Sequence, residues 1–464
     1  MLESAHSPRR GVSRRLRLAV MVGVAASALA ACSLTPGATN APETRENQPI
    51  STVVPDGEPI SLTLTHFEAD GTGEAITKLI EAFEAAHPNV TIEARYSAFA
   101  DYGKNVKLVM SSNDPPDIAQ VGQAHVMMGP LVQAGLLRPL DDYAQAYGWA
   151  DRFSPGLLDQ LRFTPDGMTF GQGELYGASV GGNLVGVYYN REKLARLGID
   201  PAMPDLATFV AALEAAKAAG EVPIQLGNLE GWPGNHLLTD LIAQYDDVEA
   251  IRSWIYGEPG ATLDRPGVKQ AASTLQSWVE AGYITPSANG TAYEDGTTKF
   301  INGEGVFMIT GNWAQARIDE EVAGNAGFML LPPVSAGDPV RATAALTSPF
   351  GISTRTEHPD VAAAFINFMI SAEAAPELLT GGYLPALRDS AATAPAGTAQ
   401  EGTLAGWQQV AAADGQALYV DWATPSMGDD TLFPEVQRLL GGQQTAEGLI
   451  AAVQADWAEF QADK

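Results

Sequence analysis

The chain has 464 residues, with 27 Lys+Arg against 55 Asp+Glu and a formal net charge of −28. So acidic a composition excludes nucleic acid and anionic lipid headgroups as partners, because phosphate recognition needs basic patches. The length exceeds what one hydrophobic core sustains, so two or three domains are expected.

The first segment reads as an export signal. Arg9, Arg10, Arg14, Arg15 and Arg17 form a positive start, and an uncharged, mostly apolar run from Leu18 to Ala31 follows. That run is short for a membrane span and ends in small residues. Its close, Leu29-Ala30-Ala31-Cys32, resembles the lipobox of bacterial lipoproteins. The resemblance implies cleavage before Cys32 and a diacylglycerol on its thiol, each buried CH₂ contributing about 0.8 kcal/mol of membrane affinity. Cys32 is the only cysteine, so no intrachain disulfide exists. An ordinary secretory peptide with an incidental cysteine is the alternative. Ser13-Arg14-Arg15-Leu16-Arg17-Leu18 also resembles a twin-arginine signal, which leaves the export route open. Removing residues 1–31 takes away those five arginines and Glu3, so the remainder is more acidic still. Residues 33–57, rich in Thr, Pro, Asn, Ala and Glu without apolar periodicity, read as a tether.

Strand and helix patterns then alternate. Ile60, Leu62 and Leu64 alternate with Ser61, Thr63 and Thr65 as in a half-buried strand. Ile76, Leu79, Ile80 and Phe83 have helical spacing, His87-Pro88-Asn89 breaks the helix, and Val90, Ile92 and Ala94 restart period two. This is a β-α-β unit and implies a parallel sheet with helices on its faces. Further strands are expected at 117–121, 185–189 and 306–310. Further helices are expected at 126–134, around Phe209–Ala216, at Val361–Met369 and at Ala446–Phe460. The fold class is α/β with at least two lobes.

Several stretches, taken in order, resemble the extracellular solute-binding proteins of carbohydrate importers, the maltodextrin-type family. They are Phe83-Glu84-Ala85-Ala86-His87-Pro88-Asn89-Val90, Pro116-Asp117-Ile118, the run from Leu131 to Leu140, Leu175-Tyr176-Gly177 with Val187-Tyr188-Tyr189-Asn190, and Phe300 to Met308 with Gly311-Asn312-Trp313. The resemblance implies a type II periplasmic-binding-protein fold, two discontinuous α/β lobes joined by a hinge. By analogy lobe 1 spans residues 58–180 plus 345–390, and lobe 2 spans 181–344 plus 391–464. It also implies a sugar in the cleft, permease subunits of an ABC transporter as partners, attachment to the membrane through the lipid alone, an extracytoplasmic location and a monomer.

Sugars present C–H faces that stack on aromatic rings, and hydroxyls that pair with planar donors and acceptors. In α/β sheets such residues belong in loops at strand C-terminal ends. Trp313 follows a strand, where the family commonly places a stacking ring; a core tryptophan at a helix start is the alternative. Trp232 lies in Gly231-Trp232-Pro233-Gly234-Asn235, an expected irregular loop, and Trp422 with Asp421 lies in another; each suits a ligand or a lobe interior. Glu68 and Asp70 follow the first strand and Gln123 the third. Asn183 and Asn312 are amides in expected cleft loops, and Tyr383 lies in Gly381-Gly382-Tyr383-Leu384-Pro385. Trp254, Trp278, Trp407 and Trp457 fall in helical patterns and read as core. More than one candidate tryptophan favours a disaccharide or short oligosaccharide, with polyols and glycerol-phosphate compounds as alternatives.

Enzymatic readings are weaker. Gly177-Ala178-Ser179-Val180-Gly181 matches G-x-S-x-G, but a nucleophile elbow needs a helix directly after the serine and the following residues read as strand. A glycoside hydrolase needs two carboxylates about 5–9.5 Å apart, which so acidic a chain does not exclude. The six histidines are scattered, no phosphate-cradling G-x-x-x-x-G-K occurs, and no metal or cofactor is called for. An adhesive lipoprotein would show repeats or stalks, and neither is present.

Overall fold

Alternating burial builds the first strand, β1 (Ile60–His66): Ile60, Leu62 and Leu64 are buried while Ser61 is exposed. Helix α1 (Asp70–Ala86) buries Ile76, Leu79, Ile80 and Phe83 on one stripe. It ends before Pro88, and Phe83 packs edge-on against Phe365 with ring centroids 5.2 Å apart. Strand β2 (Val90–Tyr96) runs parallel to β1 in a register from Ile60↔Val90 to His66↔Tyr96. Helix α2 (Phe99–Met110), absent from the sequence reading, buries Tyr102, Val106 and Met110. Strand β3 (Ile118–Gln120) pairs parallel with the other side of β1. A short hairpin, β4 (Arg162–Phe163) with β5 (Glu174–Leu175), follows. The structure, a computed structural model, describes residues 50–153, 155–322, 324–347, 349–386 and 392–464. The expected signal, Cys32 and most of the tether lie outside the described residues.

The chain then leaves for a second sheet. Its centre is β6 (Gly182–Asn190), almost wholly buried, followed by β7 (Ile224–Gln225), β8 (Phe307–Gly311), β9 (Ala326–Met329) and β10 (Ala342–Leu346). Strand β11 (Phe350–Ile352) returns to the first sheet, and β12 (Gln416–Ala417) closes the second. The strand orders are β11-β3-β1-β2 and β12-β10-β6-β8-β7, with β9 paired to β6. The first sheet is parallel through β2, β1 and β3, as the β-α-β pattern implies. The second is mixed, because β6 runs antiparallel to β8, β9 and β10. Leu62, Leu64, Ile118, Phe350 and Phe365 pack together on the first sheet, whereas Val185, Val187, Phe209, Leu241 and Phe307 of the second share a cluster with Tyr102, Val106, Met110 and Ala119 from α2 and β3. At about 25 cal/mol per Å² this apolar burial is the main force closing each layer.

Between the sheets, the bridge Ala178↔Phe350 ties the segment before β6 to the start of β11, and Leu384 bridges to Gly182. The Ser179 hydroxyl is wholly buried there, 2.8 Å from Thr347 O and 2.9 Å from Gly181 O. Strand β6 follows it directly, so the G-x-S-x-G match forms a pinned crossing, not a strand-to-helix elbow. Gly182 has no room for a side chain: a Cβ there would fall 2.3 Å from the Trp407 ring. No helix among the described residues is long and apolar enough to cross a membrane.

Candidate functional site

The start of α1, just after β1, approaches the segment that follows β8: a Cβ on Gly71 would lie 2.7 Å from Ala316 Cβ. On the second sheet, β8 runs into the turn Asn312–Ala314 and presents Trp313. The Trp313 ring folds back over Gly311, where a Cβ would meet its carbons at 2.0 Å, so this rotamer requires glycine. Residues 231–235 are not the irregular loop expected. Trp232 opens the helix Trp232–Tyr245, with Pro233 in its first turn, where a missing N–H costs nothing. That start sets His236 one turn below Trp232 on the same face.

The result is a continuous series of rings. Trp232 lies 4.4 Å from Tyr293 and 6.1 Å from Trp313 between ring centroids. Trp313 Nε1 donates to the Tyr293 hydroxyl at 2.8 Å. His236 touches Trp232, Trp313 and Tyr419 at 5.0, 5.4 and 5.0 Å. Tyr419 continues to Trp422 at 5.1 Å, and Trp422 to Phe170 at 6.3 Å. Trp232, His236 and Trp313 are half-buried and so keep part of their faces open. Aromatic contacts of this spacing contribute about 0.5–1.5 kcal/mol each beyond area burial and hold the wall in one arrangement.

Polar groups back this wall. Asn235 Nδ2 donates to Asp421 Oδ1 at 2.8 Å, and burial pushes the Asp421 carboxyl up to about 6. Burial holds the His236 imidazole down to about 3, so it is neutral, and its Nδ1 has no hydrogen-bond partner. One turn further, Asp240 is fully buried, accepts from Thr343 N at 2.8 Å and is pushed up to about 7 by burial.

The first sheet contributes different chemistry. Phe67 and Glu68 leave the end of β1. Gln120 takes hold of both, accepting from Phe67 N at 3.1 Å and donating to Glu68 Oε1 at 2.5 Å. Burial raises the Glu68 carboxyl, and the Gln120 hydrogen bond offsets part of that rise. The Tyr383 hydroxyl is buried and within electrostatic reach of Glu68, yet makes no well-formed hydrogen bond.

The other candidates are tied into the frame. Asn312 is buried; its Oδ1 accepts from Leu184 N at 2.8 Å and its Nδ2 donates to Gly382 O at 2.7 Å. It thereby fixes the Trp313 turn against the loop that carries Tyr383. The Asn183 amide, with its nitrogen toward β10, donates to Leu346 O and Ala345 O at 3.2 Å. Gln123 is buried and donates to Leu346 O. Asp70 is exposed at the start of α1 with φ 46°. It lines a cavity of about 1130 Å³ together with Lys78, Arg152, Arg317 and Glu377, in which no aromatic side chain takes part. The lining of that cavity suits charge, and none of the rings of the series lines it. Trp254, Trp278, Trp407 and Trp457 are buried. Sequence reasoning missed Tyr293, His236, Tyr419, Asn235 and Gln120. His236 was within reach, since Pro233 marks a helix start and i+4 spacing aligns it with Trp232. No group of three His, Cys, Asp or Glu among the described residues could hold a metal.

Residues 69–376 match the profile of the bacterial extracellular solute-binding proteins. The chain is 24% identical over 372 residues to the multiple sugar-binding protein of Streptococcus mutans, across 78% of this chain and 79% of that one. Among solved structures it is similar to a chitin oligosaccharide binding protein, with TM-score 0.74 and 26% identity over 88% of this chain and 100% of that chain. It is also similar to the galacto-N-biose-/lacto-N-biose I-binding protein of the ABC transporter from Bifidobacterium longum, with TM-score 0.68 and 17% identity over 88% and 98% of the two chains. The fold is thus that of the type II periplasmic sugar-binding proteins.

Proposed function

The chain belongs to the family of bacterial extracellular solute-binding proteins, and from that premise we propose that it captures an oligosaccharide between its two sheets for the permease of an ABC importer. The observation that carries this reading is the ring series from Trp232 through Trp313 to Trp422 on the second sheet, together with the Glu68 and Gln120 pair on the first. Rings take the C–H faces of pyranoses, and carboxylate and amide groups take the hydroxyls. Relatives and structural neighbours named for sugars support the same ligand class.

The lobes are assigned as residues 58–180 plus 345–390 and residues 181–344 plus 391–464; the strand pairings support this division except that Ala345 and Leu346 pair with β6 of the second sheet. A ligand that touches both lobes only when they are closed shifts the population to the closed form, which the permease then distinguishes. The family is extracellular, so the protein works outside the cytoplasm. The lipobox-like Leu29-Ala30-Ala31-Cys32 supports attachment through a lipid on Cys32, and the protein acts as a monomer that binds sugar without converting it.

Thermal melts against a panel of mono- and oligosaccharides, with products followed by chromatography, test the reading. A bound sugar stabilises by RT ln(1 + [L]/Kd), about 2.7 kcal/mol at a hundredfold excess over Kd. Stabilisation by one sugar series without turnover is expected. Cleavage of that sugar, or no shift with any sugar, contradicts the reading.

A further inference from the structure

Helix α2 points its buried face, Tyr102, Val106 and Met110, onto the first sheet, and Phe99 stands on that same face one turn before Tyr102. Phe99 is nevertheless 44% exposed, because it overhangs the strand ends where the sheet stops. Its ring meets Phe67 edge-on at 5.0 Å, and Phe67 meets Tyr102 at 5.2 Å. The Tyr102 hydroxyl donates to Gln120 O at 2.8 Å and lies 3.2 Å from Thr65 O, so the base of this stack is fixed to two strands. Tyr96, paired with His66 at the end of β2, is 57% exposed and tilted against His66 at 6.0 Å, on the face opposite to Phe67.

We propose that Phe99, supported by Phe67, forms an outer stacking subsite for a further ring of the oligosaccharide, so that ligands of three or more sugar rings bind better than disaccharides. This rests on the sugar-binding reading above. Two observations favour a carbohydrate occupant. First, the platform is continuous with the polar wall: the Gln120 amide that holds the backbone of Phe67 also holds the carboxylate of Glu68. Secondly, the exposed groups here are flat rings on an ordered base, which suits C–H faces and lets a sugar chain run outward from the polar wall. Open aromatic surface at the end of parallel strands is otherwise a cost in water.

The test is titration calorimetry of the full chain with xylo-, chito- and malto-oligosaccharide ladders of two to five rings. The Phe99→Ala variant is compared with wild type. In the ladder that binds, wild type is expected to gain about tenfold in affinity between two rings and three or four, and the variant to lose that gain. Phe99→Tyr, which keeps a ring, retains it, and unchanged melts of the unliganded variant show that the fold is intact. A flat ladder in wild type, or equal losses at every length, overturns the subsite and leaves sugar binding standing. Unchanged sugar affinities together with lost delivery to permease-containing vesicles assign the patch to a protein partner and also overturn it. Failure of every ladder to bind overturns the sugar reading itself.

Discussion

At the end of the second sheet six side-chain rings touch in series, Trp232, Tyr293, Trp313, His236, Tyr419 and Trp422. At the end of the first sheet stand Glu68 just past β1, Gln120 at the end of β3 and the Tyr383 hydroxyl. One wall is apolar, rigid and made of planes; the other is polar and organised around one half-buried carboxylate. The two halves of sugar chemistry are thus divided between the sheets. On the proposed function neither wall alone satisfies a pyranose, which would couple closure to the presence of ligand and not to either surface by itself.

The apolar wall can be broken most severely. Trp232→Ala removes the ring that meets three others, and affinity for the bound oligosaccharide is expected to fall about a hundredfold by calorimetry. Gly311→Ala reaches the same wall without touching a ring. The added methyl displaces Trp313, and a comparable loss is expected with secondary structure unchanged by circular dichroism. On the polar wall Glu68→Gln keeps the shape and removes the charge, so a loss of about tenfold is expected, in line with hydrogen bonds to charged groups. If Glu68→Gln proved the more damaging change, the ranking of the two walls would be reversed.

Smaller effects concern stability. Burial raises the Asp240 carboxyl from 3.8 to about 7, so the folded chain binds more protons than the unfolded chain within that range. The Asp240 contribution is therefore present at low pH and lost as pH rises toward 7. His236 acts in the opposite sense: depressed from 6.5 to about 3, it makes stability fall as pH drops below 6.5. Asp240→Asn keeps the acceptor for Thr343 N and is expected to melt about 2–4 °C above wild type at pH 8, the gap narrowing toward pH 5. Least of all, Asp205→Ala removes the cap that accepts from Thr208 N at 2.8 Å, far from both walls. It should cost about 1 kcal/mol in denaturant melts and leave sugar affinity unchanged.

Regular periodicity made the scaffold legible. The β1-α1-β2 unit, the strands at β3, β6 and β8 and the helices Pro359–Met369 and Ala446–Ala462 all stand where apolar spacing puts them. Helix α2 was hidden because its stripe is short and broken by Gly103 and Lys104. The antiparallel centre of the second sheet was hidden because pairing between β6 and β8 spans more than a hundred residues and leaves no local mark. In the site, composition could point to Trp232, Trp313 and Trp422. It could not show that Asn312 would be consumed by Leu184 and Gly382, or that Gln120, a strand residue, would hold Glu68. Those roles come from tertiary approach alone.

The most direct measurement is a double-mutant cycle by calorimetry with one oligosaccharide, using wild type, Trp232→Ala, Glu68→Gln and the two combined. The account predicts that each single change weakens the same sugar and that the double variant binds it no more tightly than either. Full affinity in either single variant would mean that only one wall meets the ligand, and would contradict a site divided between the two sheets.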